Sequence, residues 1–319
     1  MLERFLKEGR SVIEIAGILG KGRTTIYDEV RRGRVELLNT DLTTSVVYLA
    51  DVAQRKADEA KEMKGRPLKI GNDYALAEYL DQKLGKEKYS PAAVYHEMEN
   101  SGQEFSVKLC IRTIFNYAKN GVLAETNYIK SRKKKKHNHK RKVALHNVTD
   151  KIIEKRPEEV NDRDDLGHWE MDTVVSGRGD KTCLLVLTER KSRKEIIRKI
   201  KNKMAVSVVE ELDKLEKQFG KKKFRETFKT ITVDNGVEFM DDAGMEKDGR
   251  TQIYYCHPYA SYERGSNENA NKLIRRWIPK GAHIGKFSKR FIQQIEDWMN
   301  NYPRQILGWK TANEVYFRL

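Results

Sequence analysis

Three acidic residues, Asp172, Asp234 and Glu268, stand where carboxylates can converge on hard metal cations. Cutting and joining a phosphodiester needs an activated oxygen nucleophile and a stabilised leaving oxygen; two cations about 3.5–4 Å apart supply both. Such cations take oxygen ligands and leave positions open for water and substrate. Asp172 sits inside the apolar run HWEMDTVV, where a carboxylate is costly unless paired or metal-bound. Asp234 ends TITV and precedes Asn235-Gly236. Ligands gather at such strand ends in open α/β sheets. Singly, each has a plain alternative: an Asp before Asn-Gly is a turn residue, and a Glu between arginines belongs to a surface ion pair. The joint pattern is what points to a site.

Glu268 is selected by helix geometry. At 100° per residue, Arg264, Glu268, Asn271 and Arg275 fall within about 60° of one another. Ala270, Leu273 and Trp277 take the opposite, core-facing side. A metal ligand flanked by an Asn and two Arg suits a site that also holds phosphate. Glu263 lies about 140° from Glu268 and is set aside. Glu238, shortly after Asp234, is the runner-up, expected to start a short helix and support the site. His168, Trp169 and His257 neighbour these residues, with packing at least as good an account of them.

These side chains need a sheet to hold them. HWEMDTVVSG, TCLLVLTER and KEIIRKI read as strands joined by short turns. Residues 203–219 follow as an amphipathic helix, then strands KTITVDNG and QIYYCHP, then the helix YERGSNENANKLIRRWI. This predicts a mixed α/β sheet over 165–319.

The N-terminal half reads as all-α. In residues 1–38, Ile15, Ala16 and Leu19 share a face, Gly20 and Gly22 permit a turn, and Ile26 and Val30 anchor a second helix. This is a helix-turn-helix pattern whose free face carries Arg23, Thr24, Thr25, Tyr27 and Arg31, suited to phosphates and base edges. Residues 39–67 are expected to connect, with one helix over 41–64. A second helix-turn-helix is expected in 68–123: a helix over 72–84, another capped by Ser90 with Pro91 at its first position, and a third from a Ser106 cap to Gly121. The third would turn Ile111, Ile114 and Phe115 inward and Lys108, Arg112, Thr113 and Asn116 outward. Within a linker over 124–164, eight of the twelve residues of SRKKKKHNHKRK are basic, including Lys133, Lys134, Lys135 and Lys136. Such a run repels itself and would lie along phosphates.

The formal net charge of +16 favours a polyanionic partner. No stretch is apolar for long enough to span a bilayer, and MLERFLKEGR is charged too early for a signal peptide. Cys110, Cys183 and Cys256 form no CxxC pair, so neither a zinc finger nor a disulfide framework is expected, and the setting is read as cytoplasmic.

Four stretches resemble bacterial insertion-sequence transposases of the DDE type, specifically the insertion-sequence-thirty family: IEIAGILGKGRTTIYDEVRRG, RPEEVNDRDDLGHWEMDTVV, TVDNGVEF and HPYASYERGSNENANKLIRRWIPKG. The 33 residues between Asp234 and Glu268 match the spacing that this family implies. The resemblance implies helix-turn-helix units followed by a ribonuclease-H-like domain with a mixed five-stranded sheet. It places metal ligands at Asp172 on the first strand, Asp234 on the fourth and Glu268 on a later helix, holding two Mg²⁺ ions, with Mn²⁺ able to substitute. It implies action on double-stranded DNA, at terminal inverted repeats and a target, by a homodimer or larger assembly. Arg264 and Arg275 match basic positions that flank the Glu in related enzymes; with Asn271 and Lys272 they would position the DNA strand. Three departures stand out. Tyr262 is one residue closer to the Arg than the usual Tyr. Lys272 replaces a common Gly. The chain starts inside the first helix of the leading helix-turn-helix. No His-His-Cys-Cys zinc unit precedes the catalytic half, unlike retroviral-type integrases. Two rival readings stay open: a DNA-binding repressor with a degenerate nuclease fold, and a nuclease that cuts without joining.

Overall fold

The computed structural model describes residues 1–62, 67–123, 151–258 and 260–317. The chain divides into two compact units, Met1–Gly71 and Asn72–Leu319.

In the first unit, α1 (Leu2–Lys7), α2 (Val12–Leu19) and α3 (Arg23–Arg32) bury Phe5, Ile15, Ala16 and Ile26 against one another. Ser11 starts α2 with a reciprocal cap: its hydroxyl accepts the Glu14 N–H at 3.3 Å, and its own N–H donates to the Glu14 carboxylate at 3.0 Å. Gly20 ends α2 at φ 61°, where glycine is least strained. The expected helix over 41–64 is corrected. An antiparallel hairpin forms first, β1 (Arg34–Leu38) with β2 (Thr44–Tyr48), and α4 runs Ala50–Glu62. The β-branched residues in TSVVY favour the strand. The turn is closed by Asn39 N–H to the Thr43 carbonyl at 2.8 Å and Thr43 N–H to the Asp41 carboxylate at 3.0 Å.

The second unit opens with α5 (Tyr74–Leu80), continued by a π-helical turn over Asp81–Lys86, then α6 (Pro91–Ser101) and α7 (Ile111–Asn120). Ser90 caps α6, and Gly121 ends α7 at φ 74°. Two expectations for α7 are corrected. Ser106 does not start it, because its hydroxyl donates to Asp73 at 2.6 Å; Cys110 stands at the N-cap. Phe115 is exposed, and Tyr117 and Ala118 are buried with Ile114. This places the apolar stripe on residues 114, 117 and 118. Tyr89, between α5 and α6, meets Trp298 and Tyr302 edge-on, and the Arg276 guanidinium donates to the Lys88 carbonyl at 2.7 Å.

After a single helical turn, α8 (Glu159–Asp162), come β3 (His168–Val175), β4 (Cys183–Glu189), β5 (Glu195–Ile200), α9 (Ala205–Phe219), α10 (Lys221–Thr227) and β6 (Thr230–Val233). The short α11 (Asp242–Met245) leads to β7 (Gln252–Tyr255), followed by α12 (Gly265–Trp277), α13 (Lys289–Asn300) and α14 (Ala312–Phe317). The sheet order is β5-β4-β3-β6-β7; the first three strands are antiparallel, and β6 and β7 run parallel to β3. This is the mixed five-stranded sheet of the ribonuclease-H-like fold. Every residue of β4 is buried, as a central strand covered on both faces requires.

Alternation along β3 assigns the two faces. Trp169 and Met171 join Val208, Leu212 and Leu215 of α9 in the main core. Glu170 and Asp172 therefore point to the other face, over which α12 packs. Edge strand β5 is covered by α13: Glu296 accepts the Ile197 N–H at 2.6 Å, and Asn300 both accepts from and donates to the Glu195 backbone. No helix among the described residues is long and apolar enough to cross a membrane.

Candidate active site

Strand register brings the two aspartates together. β3 and β6 pair in parallel from His168 with Thr230 to Glu170 with Thr232. Continuing that register sets Asp172 level with Asp234, just past the end of β6.

One cation joins them. Arg264 Nη2 lies 2.9 Å from Asp234 Oδ2, and its Nη1 lies 3.4 Å from Asp172 Oδ1. Asn271 Nδ2 donates to the other Asp172 oxygen at 2.8 Å, and the Gly236 N–H donates to the other Asp234 oxygen at 2.9 Å. Three of the four carboxylate oxygens thus accept a hydrogen bond, and the fourth has the Arg264 charge beside it. Burial opposes the charge on Arg264, but Asp234 and Asp172 outweigh it and raise its pKa. Gly236 is confined by the same cluster: a Cβ there would stand 2.4 Å from Glu238 Oε2 and 2.8 Å from Asp234 Oδ1.

Glu268 is turned outward. Its side chain is 64% exposed and lies 2.9 Å from Lys272 Nζ. Among the described residues, no group of three or more His, Cys, Asp or Glu side chains converges to hold a metal ion. Along the chain, however, Glu268 lies between Arg264, the residue before α12, and Asn271, and both of these touch Asp172. Arg275 is engaged elsewhere, with Nη2 donating to the Val175 carbonyl at 2.9 Å. It ties the end of α12 to the end of β3.

The neighbours divide by role. Glu263 is held by His257, whose backbone N–H and Nδ1 lie 2.9 and 2.8 Å from its carboxylate. Glu238 is buried on a 3₁₀ turn; its Oε1 accepts from Thr173 at 2.7 Å and lies 3.1 Å from Lys203, while its buried Oε2 has no hydrogen-bond partner. His168 meets Thr230 at 2.8 Å, and the Trp169 indole donates to the Thr227 carbonyl at 2.6 Å, so both are structural.

One group was missed in the sequence. Glu170, fully buried, accepts from Arg190 at 3.0 Å, from the Ser266 hydroxyl at 3.2 Å and from the Asn267 N–H at 3.3 Å. It fastens the first turn of α12 to the strand that carries Asp172. Its position two residues before Asp172, on the same strand face, was the available signal.

On α3, Arg23, Thr24, Thr25 and Tyr27 are exposed, and Arg31 is exposed while paired with Asp28 at 3.1 Å. Lys108, Arg112 and Asn116 are exposed, whereas Thr113 is half-buried, with its hydroxyl 3.3 Å from Cys110 Sγ. Lys133, Lys134, Lys135 and Lys136 lie outside the described residues.

No family model matches the chain. Individual proteins do. It is 28% identical over 330 residues to a probable transposase for the insertion-like sequence element IS1161 of Streptococcus salivarius, covering 99% of this chain and 91% of that protein. It is 30% identical over 304 residues to the transposase for insertion sequence element IS4351 of Bacteroides fragilis, covering 95% and 88%. The transposase InsI for IS30C of Escherichia coli K12 matches at 32% over 167 residues, 52% of this chain and 42% of that one. Among solved structures, the catalytic core domain of BIV integrase aligns with a TM-score of 0.36 and 18% identity, over 48% of this chain and 95% of that chain. With near full-length matches to insertion-sequence transposases and shorter ones to IS30 proteins, the chain belongs to the IS30 family of insertion-sequence transposases.

Proposed function

We propose that the chain is a DNA strand-transfer enzyme acting at the terminal inverted repeats of its own insertion sequence. Water attacks the phosphodiester at the element end and releases a 3′-OH. That 3′-OH then attacks a target phosphodiester, displacing a new 3′-OH, with no covalent protein–DNA intermediate. The observation that most supports this is the pair Asp172–Asp234, held level on adjacent parallel strands and sharing one cation.

Carboxylate oxygens are the donors that hard cations take, and two of the three already converge on a positive charge. Asp172, Asp234 and Glu268 would hold two Mg²⁺ ions, or Mn²⁺ in their place. When bound, the metal lowers the pKa of water and stabilises developing charge on oxygen. Glu268 needs a side-chain rotation away from Lys272 to join the aspartates. Asn271 orients Asp172, and Gly236 orients Asp234. Arg264, released from the aspartates, and Lys272 are placed to meet phosphate oxygens. Arg23, Thr24, Thr25, Tyr27 and Arg31 would read the inverted repeats in a major groove, with Lys108, Arg112, Thr113, Asn116 and the basic run adding contacts. Two DNA ends must be handled together, so we propose a homodimer or larger assembly in the cytoplasm.

The test incubates the chain with Mg²⁺ and duplexes carrying candidate element ends, then separates nicked from joined products. Asp172→Asn, Asp234→Asn and Glu268→Gln are each expected to abolish both products while leaving DNA binding. Binding without nicks would favour the repressor reading, and nicks without joined product the nuclease. Activity that survives Glu268→Gln but dies with Glu238→Gln would move the third ligand to Glu238.

A further inference from the structure

A cavity of about 600 Å³ opens beside α12, on the stripe next to the one that faces the aspartates. Gly265, Asn269, Lys272 and Arg276 supply its α12 wall. Besides Lys272 and Arg276 it is lined by Arg163, Arg193 and Arg304, and no Asp or Glu is among its lining residues. Two of these cations are buried: Arg193 is 6% exposed, and Arg304, 9% exposed, is already paired with Glu195 at 3.4 Å. Arg193 hydrogen-bonds the Ser266 hydroxyl, at the first turn of α12. Burying the Arg193 guanidinium beside an open space is costly unless an anion completes its surroundings.

Leu273, Ile306, Tyr302 and Trp309, the last stacked on His96, add apolar and aromatic surface beside the polar Ser90, Ser266, Asn269 and Gln305. Ile306 is 68% exposed. A site for inorganic phosphate alone has no use for such a wall. The volume falls in the range of small-molecule pockets, about 300–1,000 Å³.

Backbone strain marks the same place. Six non-glycine residues among those described have positive φ, and three of them, Arg163, Arg193 and Trp309, line this cavity. For a large side chain that conformation is unfavourable and persists where the surroundings enforce it, as at ligand sites. Arg163 ends α8, Arg193 lies in the β4–β5 turn and Trp309 follows Gly308, so three separate chain reversals meet at this cavity.

We propose that this cavity receives one unpaired nucleotide of the DNA strand, its phosphate against the arginines and its base against the aromatic and apolar wall. Lys272 borders both the cavity and Glu268, so a strand end leaving the carboxylates would pass over it. This inference rests on the DNA strand-transfer reading, and its test separates the two.

The full chain is titrated in EDTA with fluorescent hairpin duplexes that are blunt or carry a one- or two-nucleotide single-stranded overhang. A third set carries abasic overhangs of equal length. Nucleotide overhangs are expected to bind about tenfold tighter than blunt ends, the order that one base on an aromatic wall supplies. Abasic overhangs should recover little of that gain. Arg163→Ala and Trp309→Leu should each erase the gain and keep blunt-duplex affinity, which also reports that the variants are folded. Equal binding of blunt and overhang duplexes would overturn the cavity assignment alone. So would a gain that abasic overhangs retain in full, which signals phosphate only, or a gain that survives both variants. Failure to bind any duplex would remove the DNA reading and this inference together.

Discussion

Arg264 and Asp234 form a 2.9 Å ion pair at the place where the sequence calls for a metal, and the same guanidinium reaches Asp172. The arginine side chain is 13% exposed and the aspartates 20% and 39%, so the pairing is partly screened. Arg264→Gln would leave two facing carboxylates with less compensation. In EDTA the variant should lose about 1–2 kcal/mol of stability, between the values for exposed and buried pairs. Added Mn²⁺ should then raise its melting temperature more than it raises the wild type's, because no resident cation has to be displaced. Thermal melts across a Mn²⁺ titration check this; equal shifts in both proteins would sink it.

The turn after β6 offers a second test. Gly236 has φ −69°, so its backbone does not require glycine, but the space beside it does. A methyl group would press on Asp234 and on Glu238, which is buried and tied to Thr173 and Lys203. Gly236→Ala should therefore displace the Asp234 carboxylate, lower strand cleavage by at least about tenfold and destabilise the chain by about 1–3 kcal/mol. A crystal structure of the variant with Asp234 unmoved, or undiminished cleavage, would contradict it.

The catalytic half was largely legible because its signals are periodic and local. The apolar run in β4 and the alternation in β3 follow from burial, and the Glu268–Asn271–Arg275 part of the expected stripe follows from helix geometry, whereas Arg264 precedes α12 at φ −123°. What stayed hidden depends on long-range partners. Glu170 looks like any charged residue until Arg190, Ser266 and Asn267 close around it. Residues 41–48 read as the start of a helix because Leu42, Val46 and Leu49 are three and four residues apart, a spacing the β-branched strand residues override. Glu268 was placed on its stripe by sequence, but a side-chain rotamer next to Lys272 is not a property that spacing encodes.

Glu170 yields a third prediction. Its ion pair with Arg190 is buried, with side-chain exposures of 0% and 5%, and burial pushes the Arg190 pKa down to about 10. Glu170→Ala would leave that charge uncompensated and detach the first turn of α12, at a cost of about 3–5 kcal/mol. Glu170→Gln keeps an acceptor for the Asn267 N–H, so it should be milder, with cleavage falling further than stability. Denaturant unfolding and single-turnover cleavage on the pair decide it. Activity that tracks stability alone in both variants would reduce Glu170 to a structural role.

His257 and Glu263 give a pH-dependent prediction at the entry to α12. The hydrogen bond that His257 donates to Glu263 and then the charge of that carboxylate raise the His257 pKa above the usual histidine value; burial opposes them slightly, and Glu154 adds on the other ring nitrogen. Because the folded pKa is raised, the protonated ring stabilises the native state fully below the unfolded value of about 6.5. That contribution is lost as pH rises through the folded value. The ring is solvent-exposed, so the change should be small in overall stability and clearest at the site itself. Glu263→Gln should move the His257 titration down toward the ordinary range, followed through its imidazole proton resonances by NMR. The wild type should then show a pH-dependent loosening of the segment between β7 and α12 that the variant has already undergone at neutral pH, seen as faster amide exchange at Ala260, whose N–H donates to the His257 carbonyl. An unchanged titration in Glu263→Gln would show that the carboxylate does not hold the ring in solution.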